Sequence, residues 1–333
     1  MPNRPRAALA TETLTGLVTD AAAAPSMHNA QPWNFRFHSG TATLDLRADP
    51  ARAMPESDPE HRALHLSCGA ALFNLRVAAV HEGRDPGVRV LPDPADPFLL
   101  ATVELADPAP PADPAGLWPL YPAIRQRHTS RWPFADTEVP DDVRAELIDA
   151  ARREGADLGF VSQWHAEEIV DLVHDAEGRD DADPARRAEL DRWTRLGDEA
   201  ESATTGVPEY AFGPRQRDGH APVRDFAGRH EVADRGTTSF EHIPHLAVLG
   251  TAQDGPADWL TAGQAMQRVL LTATVRGLAT SLTSHALEWQ DLRSLTRDPL
   301  SAMAHVQMVL RLGYGPQGPA TPRRPVHDIL TIA

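Results

Sequence analysis

The chain has 333 residues with 32 basic and 47 acidic side chains, a formal charge of −15. All 32 basic residues are arginine, so the sequence excludes a lysine Schiff base with a carbonyl or pyridoxal phosphate and a P-loop lysine. The acidic balance argues against a nucleic-acid partner, because phosphate neutralisation needs a basic face. One cysteine, Cys68, excludes a disulfide framework. No apolar run reaches the roughly 18 residues of a membrane span. Residues 1–10 lack the apolar stretch of a signal peptide. The expected location is the cytoplasm, without a membrane partner.

In chain order, residues 7–24 are rich in Ala and Leu and predict a helix stopped by Pro25. Residues 33–37 and 42–46 alternate apolar and polar around Ser39-Gly40 and predict a hairpin. Residues 59–82 predict a second helix, with Leu64, Cys68, Leu72, Leu75 and Ala79 on one face. Short strands are expected near 88–91 and 98–105. Residues 107–117, dominated by Pro and Ala, read as a linker between a first unit, 1–106, and a second, 118–333.

In the second unit the patterning predicts a helix at 141–154, a strand at 158–162 and a charged helical stretch at 165–200. Residues 201–240 hold Gly, Pro, Arg and Asp with little periodicity. So long an irregular stretch inside a domain is expected to be a functional lid or a disordered insert. A strand at 245–250, an apolar helix at 257–277 and a buried strand at 305–313 complete the expected elements.

Three segments concentrate binding chemistry. Pro25-Ser26-Met27-His28-Asn29-Ala30-Gln31-Pro32-Trp33 brackets a hydroxyl, an imidazole and two carboxamides between prolines. Carboxamides offer donors and acceptors, which suits the pyrimidine edge of a flavin; equally, they satisfy the backbone groups of a turn. Arg127-His128-Thr129-Ser130-Arg131, with Arg125 just before it, flanks two hydroxyls with arginines, a set suited to phosphate or, equally, to a solvated basic turn. Thr321-Pro322-Arg323-Arg324-Pro325 adds two arginines in a proline frame.

Together these segments resemble the nitroreductase-like FMN flavoproteins, and most of all their Acg-type branch. Pro25-Ser26-x-x-Asn29-x-Gln31-Pro32-Trp33 is similar to the family's flavin-ring loop, and Arg127-x-Thr129-x-Arg131 to its phosphate motif. Gly277 to Ser281 with Leu282-Thr283-Ser284-His285 resembles the strand and turn beside flavin N5. Val309 to Gly315 resembles a late strand ending in a Leu-Gly-Tyr turn. The resemblance implies an α+β nitroreductase-like fold, with mixed sheets wrapped by helices. It implies FMN held by Pro25, Ser26, Met27, His28, Asn29, Gln31, Trp33, Arg127, His128, Thr129, Arg131, Leu282, Thr283, Ser284, His285, Arg323 and Arg324. It also implies electron transfer through N5 from NAD(P)H to a nitro-aromatic, quinone or related small acceptor, with no side-chain acid or base required.

One departure matters. The Pro-Ser loop precedes the phosphate motif by about a hundred residues, and neither motif recurs in the other half. The order implies a fused pseudo-dimer with one FMN per chain, either monomeric or a weak homodimer. A lid at 201–240 closing on the flavin makes FMN storage the competing function. Two other patterns carry less. Gly313-Tyr314-Gly315-Pro316-Gln317-Gly318 has dinucleotide-loop spacing, but its prolines forbid the required helix. His61 and His65 share a helix face without a third metal ligand.

Overall fold

Two sheets, each with a four-stranded antiparallel core of the same strand order, pack against a central pair of helices. The computed structural model describes residues 9–105, 113, 115–230, 232, 235–299 and 301–333. The first half runs α1 (Thr11–Ala22), β1 (Trp33–His38), β2 (Thr43–Ala48), α2 (Arg62–His81), β3 (Pro86–Val90) and β4 (Leu99–Leu105). Most of the expected linker lies outside the described residues.

The second half opens with α3 (Ala123–Gln126), α4 (Asp141–Arg153) and β5 (Asp157–Phe160). A long excursion follows: α5 (Gln163–Ala182), α6 (Pro184–Arg192), β6 (Thr194–Arg195), α7 (Asp198–Ser202), β7 (Val207–Pro208), β8 (Arg215–Asp218) and β9 (Thr237–Ser239). The chain then returns through β10 (Leu246–Thr251), α8 (Pro256–Val275), β11 (Ala279–Thr283), α9 (Gln290–Leu295), β12 (His305–Gly313), α10 (Val326–Ile329) and β13 (Leu330–Ile332).

The first sheet is ordered β13-β1-β2-β4-β3 and the second β11-β12-β10-β5. Read from β1 and from β5, each half lays its strands first, second, fourth, third, with antiparallel neighbours throughout. The extra strand β13 pairs parallel to β1, Phe35 opposite Leu330, so the chain's last strand completes the first half's sheet.

Several expectations shift on folding. The single apolar face drawn for α2 is too narrow. Arg62, His65, Ser67 and Asn74 are buried along with its aliphatics, because the helix is covered by α1, α8 and the first sheet. By length and composition α2 is also apolar enough to cross a membrane, yet 78% of that window is buried inside the protein. The Asp58 carboxylate caps its first turn, accepting from Ala63 N and Leu64 N at 2.9 Å each. The stretch 165–200 is broken: Asp183 ends α5 and caps α6 over Pro184, and β6 and the start of α7 follow. The described part of 201–240 is folded into the short elements above and carries its own small core of Val207, Phe212 and Phe226.

Candidate functional site

Between the two halves lies a cavity with about 1110 Å³ of space not filled by atoms, open solvent at its mouth included. Its floor is the loop after α1. Ser26 is extended, and His28, Asn29 and Gln31 all have φ between 46° and 54°, three non-glycine residues in the left-handed region. Such a run costs roughly 1 kcal/mol or more per residue and persists only where other contacts dictate it. The side-chain amides supply them. Asn29 Nδ2 donates to the carbonyls of Gly206 and Pro322 at 3.0 Å. Gln31 Nε2 donates to Thr204 O at 2.8 Å, and Gln31 Oε1 accepts from Arg324 N at 2.8 Å. These amides therefore stitch the loop to the 201–240 segment and to the C-terminal proline frame.

Of the arginines expected at the site, three line the cavity. Arg127 is buried, and its Nε and Nη1 have no hydrogen-bond partner. Arg323 donates to Ala22 O, Ala23 O and Ala24 O at 2.9–3.2 Å, carbonyls at the C-terminal end of α1, where the helix dipole favours a cation. It also donates to Asn29 Oδ1 at 3.0 Å and Thr321 Oγ1 at 2.7 Å. Arg131 donates to Ala211 O at 3.1 Å and lies 4.8 Å over the Phe226 ring.

Burial, with Arg323 alongside, pulls Arg127 down to about 9. Burial with Arg224 pulls Arg131 to about 10, and burial alone pulls Arg323 to about 10. Among the described residues, no carboxylate offsets any of the three. Near neutral pH they hold three positive charges around one hollow, an arrangement that accepts a dianion.

Pro25, Ser26, Met27, His28, Asn29, Arg127, Thr129, Arg131, Leu282, Ser284, His285 and Arg323 all line this cavity. Gln31, Trp33, His128, Thr283 and Arg324 do not. Gln31 and Trp33 are fully buried, Trp33 as the first inward residue of β1 in the main core. Thr283 Oγ1 donates to Pro222 O at 2.9 Å. Arg324 holds the carbonyls of Gln31 and Trp33 and sits 3.5 Å from Asp49. Arg125 pairs with Asp20 at 2.7 Å.

The sequence reading also missed lining residues. Arg62, Ser67 and Met266 come from α2 and α8, Arg224 and Phe226 from the 201–240 segment, and Glu288 from the turn after β11. Arg224 differs from the other three arginines. Burial opposes its charge, yet Glu288 and Asp180 keep it above its usual value. His28 and His285 are buried with both ring nitrogens unpartnered, and burial first, then Arg224, pushes each well below 6.5.

A mixed α+β chain with a cation-lined cavity between two sheet-and-helix halves has the form of a protein that takes a small anionic ligand. The Nitroreductase family model matches residues 124–314, from α3 to just past β12. The chain belongs to the nitroreductase family. An uncharacterized protein of Mycobacterium tuberculosis is 31% identical over 340 residues, covering 96% of this chain and 93% of its own. The "Putative NAD(P)H nitroreductase acg" of the same organism is 29% identical, covering 98% of each chain. Among solved structures, the FMN and NADPH-dependent nitroreductase NfnB from Sphigopyxis sp. is 15% identical with a TM-score of 0.40, covering 64% of this chain and 97% of its own.

Proposed function

We propose that the cavity holds FMN and that the chain is an NAD(P)H-dependent oxidoreductase for a nitro-aromatic, quinone or related small acceptor. The observation that carries this is the trio Arg127, Arg131 and Arg323, which line one hollow and, among the described residues, pair with no carboxylate. The flavin phosphate fits there: Arg127 offers two unpartnered buried N–H groups, and Arg323 and Thr321 stand beside them. Ser26, Asn29, Ser284 and the two imidazoles surround the remaining space. Bound FMN supplies a two-electron carrier between a nicotinamide and an acceptor. The chain's part is to bind, to orient and to exclude water.

The shared strand order supports reading the chain as a fused pair with one site. Matching Gly263 of α8 to Gly69 of α2 places Thr261 as the counterpart of Ser67. The three-residue turn 154–156 stands where the first half has its Pro25–Pro32 loop, and a Cβ on Gly155 would lie 3.6 Å from Thr261 Cγ2. Glu154 fills that counterpart position, bonding both Arg76 and Arg268, so each of these arginines already holds a carboxylate oxygen.

Val207, Val223 and Phe226 support a second reading, FMN storage, because the 201–240 segment brings them onto the cavity. Anaerobic mixing with NADPH decides between the two. Bleaching of the flavin bands supports the enzyme, whereas bleaching by dithionite alone supports storage. Absence of flavin bands after adding FMN sinks both.

A further inference from the structure

A second hollow lies against the first. It has about 1020 Å³ of space, open solvent included, and Val223 and Arg224 line both. One titratable contact crosses this wall. His285 lines the inner cavity, Glu177 of α5 lines the outer hollow, and His285 Nε2 stands 3.5 Å from Glu177 Oε1. The His285 side chain is 2% exposed, and Glu177 is 39% exposed. The inner imidazole is thus almost wholly covered, and it lies beside a carboxyl that water reaches.

On the oxidoreductase reading above, NAD(P)H gives the acceptor a hydride, and one further proton must enter from water. We propose that Glu177 and His285 carry that proton across the wall. Glu177 takes it from water in the outer hollow and passes it to His285 Nε2 as the 3.5 Å gap closes. Nδ1 then releases its own proton to the acceptor oxygen, an O–H bond forming as the N–H bond breaks. Return of the ring to its first tautomer resets it. The sum is NAD(P)H, one proton and a quinone-type acceptor giving NAD(P)⁺ and the hydroquinone.

The surroundings suit both tasks. Burial raises Glu177 to about 7, with Asp181, Asp225 and Asp180 adding to the rise and Arg224 opposing it. Burial, then Arg224, His28, His174 and Arg131, hold His285 neutral, so it receives a proton only briefly. Near pH 7 the carboxyl is therefore half protonated beside a ring nitrogen with no other partner.

The test compares the wild type, Glu177→Gln and, as a surface control, Glu199→Gln. In the FMN-loaded protein, quinone reduction is expected to fall as pH rises through about 7 in the wild type and the control. Glu177→Gln is expected to be at least about tenfold slower at pH 6 and flat with pH, the scale of general-acid transfer. In the flavin-free chain, the His285 ring resonance is expected to shift with a midpoint near 7, and Glu177→Gln to abolish that shift. A wild-type pH profile retained in Glu177→Gln overturns the relay, as does a His285 resonance blind to Glu177. Failure of NADPH to bleach bound FMN in all three proteins instead overturns the oxidoreductase reading, while the ring titration still decides whether the pair exchanges protons.

Discussion

Gly69 of α2 and Gly263 of α8 lie back to back where the two helices cross. A Cβ on Gly263 would stand 2.9 Å from Gly69 Cα and press on the Leu66 carbonyl, and one on Gly69 would stand 3.0 Å from Gly263 Cα. Neither side has a flexible atom to yield. Gly263→Ala is expected to destabilise the fold by about 1–3 kcal/mol, the scale of overpacking, despite alanine's better helix propensity. Gly16 in α1, with nothing within 4 Å of its Cβ position, should respond oppositely, Gly16→Ala gaining about 0.5–1 kcal/mol. Urea midpoints measure both; a neutral Gly263→Ala defeats the close-crossing account.

Arg127 is expected to trade stability for binding. It is a buried cation with two unpartnered N–H groups and Arg323 nearby, so in the flavin-free chain its charge costs free energy. Arg127→Met should make that chain more stable by about 1 kcal/mol while abolishing tight FMN retention. Arg131→Ala should weaken FMN affinity by about 1.5–3 kcal/mol, the scale of one charged hydrogen-bond partner. Calorimetry with and without FMN checks both, and a destabilised flavin-free Arg127→Met reverses the assignment.

The two cavity imidazoles set an acid limit. Both are held below their unfolded value of 6.5, chiefly by burial. Below pH 6.5 the unfolded chain binds protons that the folded chain refuses, so stability is present above 6.5 and falls as pH drops. The slope is at most about 1.4 kcal/mol per pH unit for each ring. His28→Gln with His285→Gln should flatten the loss between pH 6.5 and 5. An unchanged slope in the double variant places the acid sensitivity elsewhere.

FMN stoichiometry should be one per chain. The counterpart position already contains Glu154 between Arg76 and Arg268, with Phe73 beneath both guanidiniums at 5.4 and 5.9 Å. A second phosphate would have to displace Glu154 from both guanidiniums. Flavin absorbance against protein mass measures the ratio, and a value of two refutes the fused-pair account.

Much of this architecture was legible because it is local. The hairpin of β1 and β2 follows from alternation, and α4 from a pattern bounded by Pro140 and Gly155. The loop from Pro25 was legible as chemistry but not as geometry. Its residues divide between cavity and core according to a strand phase that starts at Trp33 and to left-handed turns that no propensity favours. Arg224 was invisible as a site residue. Its partner Glu288 is 64 residues away, and nothing beside it in sequence marks it off from other surface arginines. α2 misled because helical periodicity shows only that one face is apolar; partners on its other sides came from distant segments.

The pairing of β13 with β1 has a consequence for the order of events during synthesis. Residues 321–324 supply part of the arginine shell, and residues 330–332 complete the first half's sheet. A ribosome that has delivered the first 300 residues has therefore made neither a finished sheet nor a finished cofactor site. On the proposed function, flavin capture waits for residues 321–324. A chain halted at Ala320 should emerge without retained FMN; if it holds flavin as tightly as the full chain, that timing is wrong.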